Sequence, residues 1–196
     1  MTASTNAPIY FGAAFFADEL VAILLGDGWE ASAQILQVLA IWGALRSIGN
    51  PLGSLLLGLG LADLSLKWNL GLLIIVPPVV WFGSMYGPQG IALALLALSV
   101  VLFVPGWFVL VRPLCHARFF EYAIMTLRPM GIALMATIPA YTVAGLVEGA
   151  FYRLVIGVVV AAPLYLLLAY WLNRSWVHSL WDLVGGQRAL TVIRAH

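Results

Sequence analysis

The chain has 196 residues, of which 63% are apolar and only 9% are charged, and its formal net charge is +1. An average soluble domain is about 45–50% apolar and about 25% charged, so these side chains cannot cover a soluble globule. The composition therefore indicates a membrane protein, and the lack of a basic excess argues against a nucleic-acid partner.

Six apolar segments are long enough to cross a bilayer, since a helical span needs about 20 residues. They cover residues 8–26, 30–61, 66–86, 90–111, 122–147 and 151–173. Short linkers with turn residues, such as Gly26-Asp27-Gly28, separate them. The sequence thus predicts an all-α, polytopic membrane helix bundle with six transmembrane helices in residues 1–173. Aromatic residues at helical spacing in residues 174–196 predict a cytoplasmic interfacial tail.

Basic residues divide unequally between the two sides of this predicted bundle. The side with both termini and the second and fourth loops holds seven cations, namely Lys67, Arg112, Arg118, Arg128, Arg174, Arg188 and Arg194. The first, third and fifth loops hold Arg153 alone. Because cytoplasmic loops carry an excess of Lys and Arg, we expect both termini in the cytoplasm.

The second span carries a polar stripe. A continuous helix over residues 30–61 would be about 48 Å long, so it must tilt or bend to fit the bilayer, and Gly49-Asn50-Pro51 is the expected bend. Arg46, Asn50 and Ser54 follow one another at steps of four, which places them on one helical face. A cation inside a span seldom faces lipid. The stripe therefore predicts a water-filled cavity or a partner helix.

Two acidic residues in the first span are alternative partners for Arg46. Asp18 and Glu19 are adjacent, so they point in different directions, and at most one can face the interior that holds Arg46. Arg46 either contacts a ligand in a cavity or is neutralised by one of these carboxylates. A role of the two carboxylates in ion or proton coupling is a further hypothesis.

Catalytic motifs are missing from the sequence. The predicted spans contain no histidine, and neither an HExxH nor a GxxxxGK[ST] pattern occurs. His116, His178 and His196 lack ligand-like spacing, and Cys115 is the single cysteine. We therefore expect neither enzyme activity nor a metal or other cofactor.

Several segments resemble those of a known transporter family. They are LLGDGWE at residues 24–30, the helix at 36–54, GLADLS at 60–65, KWN at 67–69 and YGPQGIA at 86–92. On these motifs the chain resembles Wzx-type polysaccharide flippases, in particular their WzxC-like branch. That family is part of the multidrug/oligosaccharidyl-lipid/polysaccharide (MOP) exporter superfamily. The resemblance runs from about residue 8 to about residue 128.

The resemblance implies an exporter with two lobes around a central cavity, of which this chain matches only the last six spans. The implied cargo is a polyprenyl-pyrophosphate-linked oligosaccharide, moved across the bacterial inner membrane by alternating access for exopolysaccharide or lipopolysaccharide biosynthesis. Its partners would be this lipid-linked oligosaccharide, membrane lipids and a missing N-terminal half, and Arg46, Asn50 and Ser54 would be cavity positions. Two alternatives remain open. They are a superfamily exporter of other cargo and a non-transporting structural or assembly subunit.

Overall fold

The computed structural model describes residues 2–47, 50–115 and 118–172, and within these ranges the chain is helical without any strand. The helices are α1 (Thr2–Phe15), α2 (Ala17–Leu25), α3 (Glu30–Arg46), α4 (Asn50–Gly58), α5 (Ala62–Ser84), α6 (Gly87–Val101), α7 (Phe103–Gly106), α8 (Arg112–Cys115), α9 (Phe119–Ala144) and α10 (Ala150–Leu172), with a π-helical turn at Trp107–Val111. The predicted all-α membrane bundle is confirmed. The tail predicted for residues 174–196 lies outside the described residues.

Three of the described helices, α5, α9 and α10, are long and apolar enough to cross a membrane. The number rises to five if each of two bent pairs is one span: Ala3–Phe15 with Ala17–Leu25, and Gly87–Val101 with Phe103–Leu114. The second predicted span is divided between α3 and α4, and residues 48 and 49 between them lie outside the described part of the chain. The count of six spans therefore stays a prediction.

The first predicted span is not straight, because α1 and α2 meet at an angle of 74° around Phe16. The Phe16 ring is buried and packs edge-to-face on Tyr141 of α9, with ring centroids 5.5 Å apart. It also fills the space beside Gly157 of α10, where an added Cβ would lie 2.1 Å from Phe16 Cζ. Only a glycine at 157 leaves room for this ring, so a residue from the far end of the chain accommodates the bend.

The turn predicted at Gly26-Asp27-Gly28 is present between α2 and α3. Gly26 and Gly28 both have positive φ angles, 81° and 93°, which glycine adopts without a steric penalty. The Gly28 N–H donates to Glu30 Oε1 over 3.2 Å, at the start of α3. This turn returns the chain so that α3 can pack beside α1 and α2.

The core lies where α1 and α10 pack against α9 and where α3 packs against α1. Its buried members are mostly small or aliphatic: Ala7, Phe11, Ala44, Met130, Ile132, Ala133, Ala136, Tyr165 and Ala169. Alanines let helix backbones approach closely, which is the main source of packing energy within a membrane. The Tyr165 hydroxyl donates to the backbone carbonyl of Ser4 and so links α10 to α1. In contrast, Gly83 is the single buried residue of α5, a helix described over its whole length.

Candidate functional site

Arg46 is the last residue of α3, and its guanidinium is exposed on the protein surface. It stacks over the ring of Trp42, one turn earlier in the same helix, with 5.2 Å between Cζ and the ring centroid. Its position in the last turn suits a cation, because the carbonyl end of a helix carries partial negative charge. Among the described residues, no carboxylate lies within ion-pair distance of Arg46.

A cavity of about 320 Å³ opens beside Arg46, and we call it the Arg46 cavity. Its walls come from α3 to α7, the π-helical turn and the start of α9. The polar or amphipathic side chains that line it are Arg46, Ser65, Trp68, Asn69, Ser99 and Tyr122. A second cavity of about 520 Å³ shares Arg46, Asn69 and Ser99 and extends along α5 and α6. The guanidinium therefore stands where two adjoining cavities meet.

The polar lining of the Arg46 cavity follows from spacing on α5 and α6. Ser65 and Asn69 are one turn apart on α5, so they share a face, and the Asn69 Nδ2 group donates to the Ser65 carbonyl over 2.8 Å. Ser99 on α6 donates its hydroxyl to the Leu95 carbonyl over 2.9 Å and keeps its lone pairs for other donors. These three side chains face the cation across an otherwise apolar wall.

Two members of the predicted stripe of Arg46, Asn50 and Ser54 have side chains that the structure describes, and they differ in position. Arg46 lines the cavity, while Ser54 is exposed and lies outside its lining. Asn50 is the first residue of α4, and its side chain lies outside the described residues. The steps of four assume one continuous helix, whereas α3 ends at Arg46, α4 begins at Asn50, and residues 48 and 49 lie outside the described part of the chain. Contact of these residues with a substrate stays a prediction.

The two acidic residues of the first span have different surroundings. Asp18 is exposed, whereas the side chain of Glu19 is 3% exposed and forms an ion pair with Arg153 on α10, with 3.1 Å between Oε1 and Nη1. The Arg153 guanidinium also lies over Tyr141, 5.9 Å from the ring centroid. The pairing considered between Glu19 and Arg46 is thus replaced by a pairing with Arg153. A coupling role for either carboxylate stays a prediction.

Sequence reasoning missed several residues of the cavity wall and one member of the ion pair. Trp68 was not assigned to the site, and the polar residues Asn69 and Ser99 were also missed. Their signal was a polar side chain inside an apolar segment, together with the one-turn spacing of Ser65 and Asn69. Arg153 was counted only as a loop cation, since a contact between residues 19 and 153 has no local signature.

The arrangement around Arg46 suits binding rather than bond cleavage. A fixed cation with neutral amide and hydroxyl groups can hold a phosphate and a polar neighbour, and bidentate guanidinium contacts are among the strongest to phosphate. Among the residues that the structure describes, no group of three His, Cys, Asp or Glu side chains is placed to hold a metal ion.

Comparison with curated proteins gives three relatives. Over 145 residues the chain is 28% identical to the lipopolysaccharide biosynthesis protein WzxC of Escherichia coli K12, covering 74% of this chain and 30% of WzxC. An uncharacterized membrane protein in the cps region of Klebsiella pneumoniae is 32% identical over 118 residues, 60% of this chain and 24% of its own. The teichuronic acid biosynthesis protein TuaB of Bacillus subtilis is 40% identical over 75 residues, 38% of this chain and 16% of TuaB.

The chain is similar to membrane proteins of polysaccharide biosynthesis. The resemblance noted from the sequence motifs is thereby confirmed. The chain spans less than a third of the length of each of these relatives, which fits the expectation that it corresponds to a C-terminal portion. No family model matches the chain, and no solved structure matches it.

Proposed function

We propose that the chain forms the last six spans of an exporter that flips polyprenyl-pyrophosphate-linked oligosaccharide across the bacterial inner membrane. It acts by alternating access, as a transporter and not an enzyme, and it supplies repeat units for exopolysaccharide or lipopolysaccharide. The similarity to WzxC and TuaB supports a role in surface-polysaccharide biosynthesis. A first lobe, absent from this chain, would form the opposite wall of the transport path.

One observation carries this proposal: Arg46 has no carboxylate partner among the described residues and faces a cavity whose lining includes amide and hydroxyl groups. A guanidinium at membrane depth costs roughly 2.5–3.5 kcal/mol on insertion scales, so it is retained where it serves a function or has a partner. A pyrophosphate group is the anion that the proposed cargo would bring to it. The neighbouring amide and hydroxyl groups suit the sugar end of the same molecule.

The arrangement of helix ends supports the predicted topology. Gln89 donates its side-chain amide to Gln34 Oε1 over 3.2 Å, which holds the start of α6 beside the start of α3. The Glu19–Arg153 pair holds the start of α2, the helix that leads into the first loop, beside the start of α10. These contacts support a topology in which the first, third and fifth loops share one side of the membrane, and we propose that this side is periplasmic. In this proposed topology the Arg46 cavity, which is lined by Ser65 and Tyr122 from the first turns of α5 and α9, would lie in the cytoplasmic half.

Substitution of Arg46 at the chromosomal gene of the source bacterium tests the function. We expect Arg46→Ala to lower exported polysaccharide at least about tenfold, because the pyrophosphate loses a charge-assisted contact. Arg46→Lys should retain part of the export, because a lysine ammonium keeps the positive charge but cannot form the two parallel hydrogen bonds of a guanidinium. The readout is polysaccharide at the cell surface, with the membrane abundance of each variant measured by immunoblot.

Arg112→Ala is the matched control for this experiment. Arg112 is also exposed and stacks over an aromatic ring of the preceding turn, Phe108, at 5.1 Å, but it does not line the cavity. Its replacement should leave most of the export. Normal export by Arg46→Ala at normal abundance would remove Arg46 from the mechanism. Two other results together would instead favour the alternative that this chain is an assembly subunit. They are co-purification of a membrane protein in a fixed stoichiometry and normal surface polysaccharide after deletion of the gene for this chain.

A further inference from the structure

We propose that Trp68 and Asn69, on the α5 wall of the Arg46 cavity, bind the sugar attached to the pyrophosphate. This inference rests on the proposed function and assigns the sugar end of the cargo to named side chains. Trp68 supplies an apolar ring face, and Asn69 with its neighbours supplies polar groups for hydroxyls. An aromatic face beside hydrogen-bonding groups matches a sugar ring, which has C–H bonds on its faces and hydroxyls around its edge.

The Trp68 indole borders two open spaces. It lines both the Arg46 cavity and a smaller cavity of about 160 Å³. The outer edge of its ring lies 3.8 Å from where a Cβ on Gly106 would be, an ordinary van der Waals distance. A tryptophan that only fills a core is enclosed by side chains, whereas this ring keeps surface available to a ligand.

The Asn69 amide has a fixed orientation. Its Nδ2 donates to the Ser65 backbone carbonyl over 2.8 Å and contacts Ser65 Oγ at 3.5 Å. Because a carbonyl needs a donor, the amide nitrogen must face Ser65, and the Asn69 Oδ1 atom faces away from it. Within the described part of the chain, no hydrogen bond reaches Oδ1. This oxygen can accept a hydrogen bond from a ligand hydroxyl.

The balance of donors and acceptors favours a sugar over a second phosphate at this wall. Asn69 Oδ1 is an acceptor. Ser99 Oγ is also available as an acceptor, because its hydroxyl already donates its hydrogen bond to the Leu95 carbonyl. Two acceptors would repel a phosphate oxygen but would take hydrogen bonds from hydroxyls. A lipid chain would leave them unsatisfied, which costs free energy. Arg46 at the same cavity holds the anion, so the pyrophosphate and its first sugar can be bound side by side.

The cavity is also large enough for this pair of groups. Small-molecule sites occupy about 300–1,000 Å³, and the Arg46 cavity measures about 320 Å³ before the adjoining space of about 520 Å³ is added. The sugar next to the pyrophosphate is the part that fits beside α5, while further sugars would extend into the adjoining space.

Binding of two probes to the purified full chain in detergent micelles tests the inference. One probe is polyprenyl pyrophosphate without sugar, and the other is the same lipid bearing a single glucose or galactose. We expect the wild type to bind at least one glycosylated probe more tightly than the bare lipid. Trp68→Ala should weaken binding of that glycosylated probe about tenfold and change binding of the bare lipid less than about twofold. Asn69→Ala should act in the same direction.

Three variants make this measurement specific. Trp81→Ala removes an exposed tryptophan of the same helix that lies outside the cavity lining, and it should change neither affinity. Trp68→Phe keeps an aromatic ring face and should retain part of the preference for the glycosylated probe. Circular dichroism verifies that every variant is folded. Arg46→Ala should weaken both probes, which separates the anion site from the sugar site.

The outcomes distinguish the two proposals. Equal loss of both probes in Trp68→Ala would mean that the indole only shapes the cavity, and this overturns the inference. Equal binding of bare and glycosylated lipid by the wild type also overturns it, while the flippase proposal stands. If the wild type binds neither probe, the proposed function fails and the sugar site fails with it.

Discussion

Two arginines of this protein are held in opposite ways. Arg46 ends α3 beside a cavity with polar groups in its lining and stacks on a ring of its own helix, whereas Arg153 on α10 pairs with the buried Glu19 of α2. The first region is open, whereas in the second the Glu19 carboxylate is buried against α10. The difference teaches that charge in a membrane bundle is either neutralised for structure or kept available for a ligand.

The two regions also differ in whether their polar atoms without a hydrogen-bond partner are buried or exposed. In the Glu19–Arg153 pair, Glu19 Oε2 and Arg153 Nε are buried and have no hydrogen-bond partner within the described residues. Removing either charge there would leave its partner in a poorly solvated place. Around Arg46, the polar atoms face open space and lose little when a neighbour is changed. The comparison therefore predicts large stability effects at one region and functional effects at the other.

The largest expected effect is an all-or-none difference in the labelling of single cysteines on the two sides of the membrane. In a Cys115→Ser background, Gln89→Cys should react with a membrane-impermeant maleimide in intact spheroplasts, because the third loop is predicted to be periplasmic. Asp63→Cys, in the second loop, should react only after the membrane is permeabilised. The reverse pattern would put the Arg46 cavity in the periplasmic half and the Glu19–Arg153 pair in the cytoplasmic half.

The next effect concerns the stability of the ion pair. Glu19→Ala should lower the free energy of unfolding by about 3 kcal/mol, the low end for a broken buried pair, because the Arg153 side chain is 32% exposed and partly solvated. Unfolding in mixed micelles with increasing SDS measures it. Asp18→Ala, at the exposed neighbouring position, should change stability by less than about 0.5 kcal/mol.

A double variant sharpens this result. Glu19→Gln with Arg153→Gln removes both charges and should recover part of the stability lost in Glu19→Ala, since no charge is left without a partner. Arg46→Ala should be nearly neutral in the same assay. Equal behaviour of Glu19→Ala and Asp18→Ala would contradict the contrast between the two regions.

The smallest of these effects lies at the bend of the first span. Gly157→Ala places a methyl group against the Phe16 ring and should cost about 2 kcal/mol through overpacking, measured by the same SDS unfolding. Gly131→Ala is the control, because no atom lies within 4 Å of its added Cβ and alanine favours a helix. Phe16→Leu in the Gly157→Ala background should restore part of the loss. A neutral Gly157→Ala would show that the ring moves aside without cost.

Much of the helical pattern was predictable because hydropathy is a local property. The helix observed at Ala150–Leu172 agrees closely with the predicted span of 151–173, and the turn at Gly26 and Gly28 follows from glycine's freedom to adopt positive φ. The position of Arg46 within an apolar segment also pointed to a cavity or a partner. The bend at Phe16 was not predictable, since it depends on Gly157, a residue far along the chain.

The sequence alone determined that this protein is a bundle of membrane helices similar to polysaccharide-biosynthesis proteins, because apolar length and local motifs need no tertiary contact to be recognised. The tertiary structure decided how each charge is used. It brought Arg153 to Glu19 and left Arg46 facing Asn69 and Ser99 across a cavity. These pairings join helices distant in the chain, and the energy of a charge in a membrane depends on what surrounds it in space.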